Sequence, residues 1–300
     1  MGFAQLRESL QGRPGKTLVL AWGLDGGVLK ACRQALDHNF LEEVIVTGPP
    51  DQVEEAAREA QVSLEGFTMH AASNPAAGAA EAVRLIREGK GQVLMKGHLN
   101  TSVILRAVVN KETGIRAQAL LSHITVVELP SRRLALLTDA AMNIKPDLQQ
   151  KAQILDNAIS FAWSIGLENP KAAVLASVET VNPQMQDTLD AAALTLMGAR
   201  NQFSRPAVVD GPLAFDNAYS KEAAAQKGIS SPVAGQADIF LVPEITAGNV
   251  LYKSLVYVGG LAVAGIVSGA TCPIVLTSRA DSSESKLNSI AVACLALSGS

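Results

Sequence analysis

Between residues 16 and 110, short apolar runs alternate with segments of helical period, and this rhythm restricts the fold more than any other feature. Residues 16–22 read as a strand, and Gly26-Gly27 opens a helix through about Asn39. Residues 43–47 form a second strand closed by Gly48-Pro49-Pro50, followed by a polar helix to about Ala60 and a weaker strand at 67–70. Asn74-Pro75 starts another helix with a capping side chain and a proline at the first helical position, and Gly89 ends it. A strand at 92–95 and a helix at 99–110 complete the series. Such repeated winding makes a parallel sheet with helices on both faces.

The rhythm breaks at residues 124–129 and 133–138, two strands joined only by Pro130-Ser131-Arg132. So short a connection requires an antiparallel hairpin and marks a change of domain. A helix at 147–166 then puts Leu148, Ala152, Leu155 and Ile159 on one face. Strands follow at 171–176, 207–209 and 239–242, with a helix at 185–197. Asp210-Gly211-Pro212 and residues 231–235 read as tight turns. Residues 255–276 carry no charge and are long enough to span a bilayer, yet Gly259, Gly260, Gly265, Gly269 and Pro273 interrupt them. They are expected to be a buried helix, a turn and a buried strand.

At 300 residues the chain is about twice a typical domain, so two α/β domains are expected. A net charge of −3 and 4% aromatic residues give no basis for nucleic-acid binding. Cys32, Cys272 and Cys294 are odd in number and lie in apolar settings, as reduced cysteines of a cytoplasmic protein do. The early charges Arg7, Glu8 and Arg13 argue against a signal peptide.

Chemistry gathers in three loops. The first is PIVLTSRADSSESKL, residues 273–287, where an apolar run ends at Thr277-Ser278 and Arg279 stands just beyond it. Asp281, Ser282 and Ser283 offer caps to a helix carrying Leu287, Ile290, Cys294 and Leu297. Ligands of open parallel sheets bind at the carboxyl ends of strands, and a following helix start favours an anion. The second loop is Lys96-Gly97-His98-Leu99-Asn100-Thr101-Ser102. Here Gly97 admits a ligand to the backbone, Asn100 or Thr101 caps the helix, and Arg106 leans back toward the loop opposite Lys96. A solvated loop lysine and a surface helix arginine are the plain alternatives.

The third loop, Thr138-Asp139-Ala140-Ala141-Met142-Asn143, places Asp139 to accept from a substrate or to cap its own loop. Asn249 follows Ala247-Gly248 and is either a helix cap or a ligand contact. The four histidines show no metal-ligand spacing, and neither a P-loop nor a nucleophile elbow is present.

MKGHLNTS with Arg106, LLTDAAMNIKPDL, VDGPLAFDNA, SPVAGQADI, AGNVLYKSL and PIVLTSRADS occur in one order. Together they resemble the phosphate acetyl/butyryl transferase family, nearest its butyryltransferase branch, from about Leu18 onward. The resemblance implies two doubly wound α/β domains flanking a cleft, as in the isocitrate and isopropylmalate dehydrogenases, in a homodimer. One domain then joins residues 1–129 with 270–300, and the other takes 130–269. The implied reaction is reversible transfer of a short acyl group, butyryl or branched-chain favoured, between coenzyme A and orthophosphate. No metal or resident cofactor is implied.

Ser278-Arg279 falls on the family's phosphate-binding pair and Arg106 on a second family arginine. Lys96, Gly97, Asn100, Thr101, Asp139, Asn143 and Asn249 complete the expected substrate contacts. The position of the acetyltransferases' proposed general base is Ser285 here, so the base is reassigned to Asp281, nearer the strand end than Glu284. A phosphate acetyltransferase, a nicotinamide-dependent dehydrogenase and a non-catalytic acyl-CoA or acyl phosphate binding protein are the rival readings.

Overall fold

The computed structural model describes residues 1–278 and 280–298. By contacts between Cα atoms the chain divides into two units, one of residues 2–119 with 264–298 and one of residues 120–263. The expected limits after residues 129 and 269 fall later than these points. At the first limit the reason is the hairpin, whose first strand pairs along its length with the second and stays with it in the 120–263 unit.

The first unit opens with α1 (Phe3–Leu10), β1 (Lys16–Ala21), α2 (Gly26–Asp37), β2 (Leu41–Gly48) and α3 (Pro50–Glu59). It continues with β3 (Phe67–Ala71), α4 (Pro75–Arg87), β4 (Val93–Lys96) and α5 (Thr101–Val108). The expected alternation is present, and its local signals act as anticipated. The Asn74 side chain accepts from the Ala77 amide at 3.0 Å, and Pro75 occupies the first turn. Asp25 caps α2 by accepting from Val28 at 3.1 Å.

The second unit contains β5 (Ser122–Glu128) and β6 (Leu134–Thr138), which pair antiparallel, then α6 (Leu148–Ser164) and β7 (Lys171–Leu175). It goes on with α7 (Gln186–Ala199), β8 (Val208–Leu213), α8 (Phe215–Tyr219), α9 (Lys221–Gln226), β9 (Ile239–Leu241) and α10 (Ile245–Lys253). Its strands run in the order β5-β6-β9-β7-β8, all parallel after the hairpin. Val127, Leu137, Ala173, Phe240 and Val242 meet in its core. Asp210-Gly211-Pro212 proves to be part of β8 and not a turn. β8 lies at the end of the strand order, where a proline deprives the ladder of nothing, and its pairing with β7 is irregular there.

The charge-free stretch departs from expectation. No buried helix forms. Residues 254–258 make a single π-helical turn with Tyr257 60% and Val258 88% exposed. β10 (Val263–Ser268) follows and pairs antiparallel with β11 (Ile274–Val275), so the apolar pattern was that of two strands. Among the described residues no helix is long and apolar enough to cross a membrane.

β10 carries the chain back into the first unit, where the strand order is β3-β2-β1-β4-β11-β10. α11 (Ser283–Ala296) ends the fold. From Lys286 to Ala296 every residue of α11 is buried, Asn288 and Ser289 included. A helix buried all round has no polar stripe, which is why its period was only partly visible in the sequence.

Candidate active site

β1, β4 and β11 run parallel, with Ala21 beside Lys96 and Val275 beside Met95. This register brings the loops that follow the three strands to one carboxyl edge of the first unit. Residue 96 follows Met95 directly and residue 278 follows Val275 after two others, so the loops carrying Lys96 and Ser278 emerge from neighbouring strands.

The loop after β11 is tied together by its own polar groups. The Ser278 amide donates to the Asp281 carboxylate at 2.7 Å, and the Asp281 amide donates back to the Ser278 carbonyl at 3.1 Å. The Ala280 amide approaches Ser278 Oγ at 3.4 Å. Ser282, not Asp281, caps α11, its hydroxyl accepting from the Ser285 amide at 3.1 Å. The Asp281 carboxylate therefore serves the turn holding Ser278. Glu284 lies in the first turn of α11, largely exposed, 3.7 Å from Arg7. Arg279 lies outside the described residues.

The loop after β4 differs from the sequence reading at two positions. Lys96 is 7% exposed, and its ammonium donates to the carbonyls of Gly97 at 3.2 Å and Leu99 at 3.3 Å. It is a buried cation cradled by its own loop, not a solvated lysine. At Gly97 the room expected for a ligand is filled by the end of β1. A Cβ there would stand 2.3 Å from the Trp22 carbonyl oxygen and 2.7 Å from that of Ala21. The Gly97 and His98 amides donate to those same carbonyls at 2.9 and 2.8 Å. Glycine is required because the loop lies across the neighbouring strand end. Asn100 holds the position before α5 without a side-chain capping bond, Thr101 begins the helix half-buried, and Arg106 is exposed.

The loop after β6, in the second unit, is built around Asp139, which is 3% exposed. One carboxylate oxygen accepts from the Ala141 and Met142 amides, both at 2.9 Å. The other accepts from the His123 amide at 3.1 Å and the Asn143 side chain at 2.6 Å. A carboxylate offers about four acceptor sites, and four donors occupy them. Asp139 is thus the keystone of its loop, the loop-capping role that was one of its two readings. The Asn143 amide is likewise spent on Asp139 and on the Leu121 carbonyl at 3.0 Å. Asn249 sits inside α10, donating to the Ala140 carbonyl at 3.3 Å, while Glu244 caps that helix. It is not a cap. It tethers α10 to the Asp139 loop.

Sequence comparison bears on this arrangement directly. Residues 65–294 match the family model described as "Phosphate acetyl/butaryl transferase". The chain belongs to the phosphate acetyl/butyryl transferase family. Phosphate butyryltransferase of Clostridium acetobutylicum is 42% identical over 98% of this chain and 97% of that protein. Phosphate acetyltransferase of Rhizobium meliloti is 44% identical over 92% of this chain and 87% of that protein. The crystal structure of a branched-chain phosphotransacylase from Enterococcus faecalis superposes with a TM-score of 0.83 at 36% identity, covering 94% of this chain and 99% of that one. A 4-hydroxythreonine-4-phosphate dehydrogenase from Klebsiella pneumoniae shares the fold, with a TM-score of 0.58 at 12% identity over 94% of this chain and 99% of that one.

For a member of this family the structure adds Lys286, which sequence reasoning passed over as one charge in a helix. It is 5% exposed, and its ammonium donates to the Asp281 carbonyl at 2.7 Å. Its place one residue after Ser285, on a helix entering the core, was the available signal. Burial pushes the thiols of Cys32, Cys272 and Cys294 up to about 12, which removes them as nucleophiles. Among the described residues no group of histidines, cysteines and carboxylates could hold a metal ion.

Proposed function

We propose that the protein transfers a short acyl group reversibly between coenzyme A and orthophosphate, with butyryl or branched-chain groups preferred over acetyl. Near full-length likeness to a phosphate butyryltransferase, together with a structural match to a branched-chain phosphotransacylase, carries this reading. Ser278 and Arg279 hold the phosphate, with Arg106 and the buried charge of Lys96 assisting electrostatically. Arginine suits this task because its planar fork matches phosphate oxygens in pairs.

A thiol with an ordinary pKa of about 8.5 is mostly protonated at neutral pH, so coenzyme A needs a base as its sulfur attacks the acyl phosphate carbonyl. Asp281 fills that role, its carboxylate oriented by the Ser278 amide. The Ser278 hydroxyl and neighbouring backbone N–H groups donate to the oxyanion of the tetrahedral intermediate. That intermediate collapses with loss of phosphate, and no covalent acyl-enzyme is required. The protein acts in the cytoplasm as a homodimer, which sedimentation tests.

Thiol release from acetyl-, propionyl-, butyryl- and branched acyl-CoA in the presence of phosphate is the deciding assay. Each buried methylene is worth about 0.8 kcal/mol, so two give butyryl-CoA roughly a tenfold advantage in kcat/KM. A preference for acetyl-CoA moves the chain to the acetyltransferases. Release from none of them leaves a binding protein. Arg279→Ala should raise the phosphate KM about tenfold to a hundredfold through lost charge-assisted bonds.

A further inference from the structure

Lys286 is a cation in the core that forms no ion pair with a carboxylate among the described residues. Elsewhere the protein treats a buried lysine as physics demands: Lys151 meets the equally buried Asp190 at 2.6 Å. Lys286 is as deeply placed, yet among the described residues its ammonium has one hydrogen bond, to the neutral carbonyl of Asp281. An ammonium has three donors, and its removal from water is repaid only by a well-matched partner. A methionine would fill the same volume without that penalty, so packing alone does not account for the residue.

Its position does. The carbonyl it holds belongs to the residue whose carboxylate and amide both bind the backbone of Ser278. Lys286 thereby reaches Ser278 through a single intervening residue. From the other side the start of α2 closes over it, where a Cβ on Gly27 would stand 3.2 Å from Asp25 Oδ1 and 3.6 Å from the ammonium. The charged group of that helix start is Asp25, whose carboxylate is engaged in capping Val28. Lys96, on the adjoining strand end, is likewise buried and donates to two loop carbonyls.

We propose that Lys286 is a positioning residue of the phosphate site, holding Asp281 in place against Ser278 and adding positive charge beside it for a bound dianion. This rests on the phosphate-dependent reaction proposed above, but binding of inorganic phosphate tests it separately. The experiment measures KM for phosphate and for acyl-CoA, kcat, and the rise of Tm caused by inorganic phosphate, in wild type, Lys286→Met, Lys286→Gln and Lys286→Arg.

In Lys286→Met the phosphate KM should rise about tenfold to a hundredfold, the acyl-CoA KM should stay within about twofold, and the Tm rise at a fixed phosphate concentration should shrink accordingly. Lys286→Arg, which keeps the charge, should recover part of the phosphate affinity. Lys286→Gln keeps a donor for the Asp281 carbonyl but not the charge, so it should fold normally with a raised phosphate KM, and it carries the test if Lys286→Met does not fold. An unchanged phosphate KM in a folded variant, or both KM values rising together without recovery in Lys286→Arg, overturns the proposal. Inactivity of the wild type with every acyl-CoA refutes the acyltransferase reading alone, because the phosphate-induced Tm rise still compares wild type with variants. Absence of that rise in the wild type overturns the inference.

Discussion

Asp139→Asn separates a loop keystone from a substrate contact. The carboxylate takes two N–H donors on each oxygen, from Ala141 and Met142 on one and from His123 and Asn143 on the other. An asparagine has nearly the same shape but only one acceptor oxygen, so whichever way it sits, two donors face an NH2 group. A buried donor left without an acceptor costs about 1–3 kcal/mol, and the Asn143 side chain can turn its own oxygen to answer one of them. The net loss should be about 2–4 kcal/mol. For a protein of this size each kcal/mol lowers Tm by roughly 2–4 °C, which predicts a fall of roughly 5–15 °C. Thermal unfolding by circular dichroism measures this, and steady-state kinetics below the transition shows whether function is also touched. The keystone reading predicts a large Tm loss with substrate KM values close to wild type at low temperature. A Tm within about 2 °C of wild type together with a raised KM would refute it and return Asp139 to the substrate.

Three other outcomes are expected. Asp281→Asn retains an acceptor for the Ser278 amide and should fold normally while kcat drops by roughly 10²–10⁴, and a near-normal kcat at neutral pH would mean that the proton goes elsewhere. Gly97→Ala forces a methyl group against the Trp22 and Ala21 carbonyls and should cost about 1–3 kcal/mol in denaturant unfolding, with activity lost in parallel; a variant as stable as wild type would show that the loop can move aside. Glu81 is held down to about 2 by its hydrogen bonds to Arg84, with the His70 contact adding to them, so its stabilising contribution is full above the ordinary carboxylate value near 4.5. That contribution is lost as pH falls through about 2, so the Tm gap between wild type and Glu81→Gln should close across this window; a gap independent of pH would contradict the ion-pair origin.

What the sequence determined by itself was local. Asn74 before Pro75 and the short hairpin link act within a few residues of chain, and Asn74 caps α4 while the two strands pair as read. The parallel sheet was equally legible, because helices that follow strands leave few other ways to bury both. The motif order pointed to the family, since the glycines, caps and charged residues sit at fixed places after strands whether or not the contacts are known. The general base did not follow, as Ser285 replaces the carboxylate that would have marked it.

Only the tertiary structure decided what each of those residues faces. Lys96 reads as either an anion holder or a solvated charge, and Lys286 as one charge in a helix, until β4 and α11 are placed in the core. Gly97 reads as an opening for a ligand until β1 lies against it, and Asp139 reads as an acceptor until the hairpin register delivers the His123 amide. The charge-free stretch reads as a helix, a turn and one strand until β10 and β11 find each other. Burial and partner identity depend on segments far apart in the chain, and a short-range signal carries no information about which distant backbone will arrive.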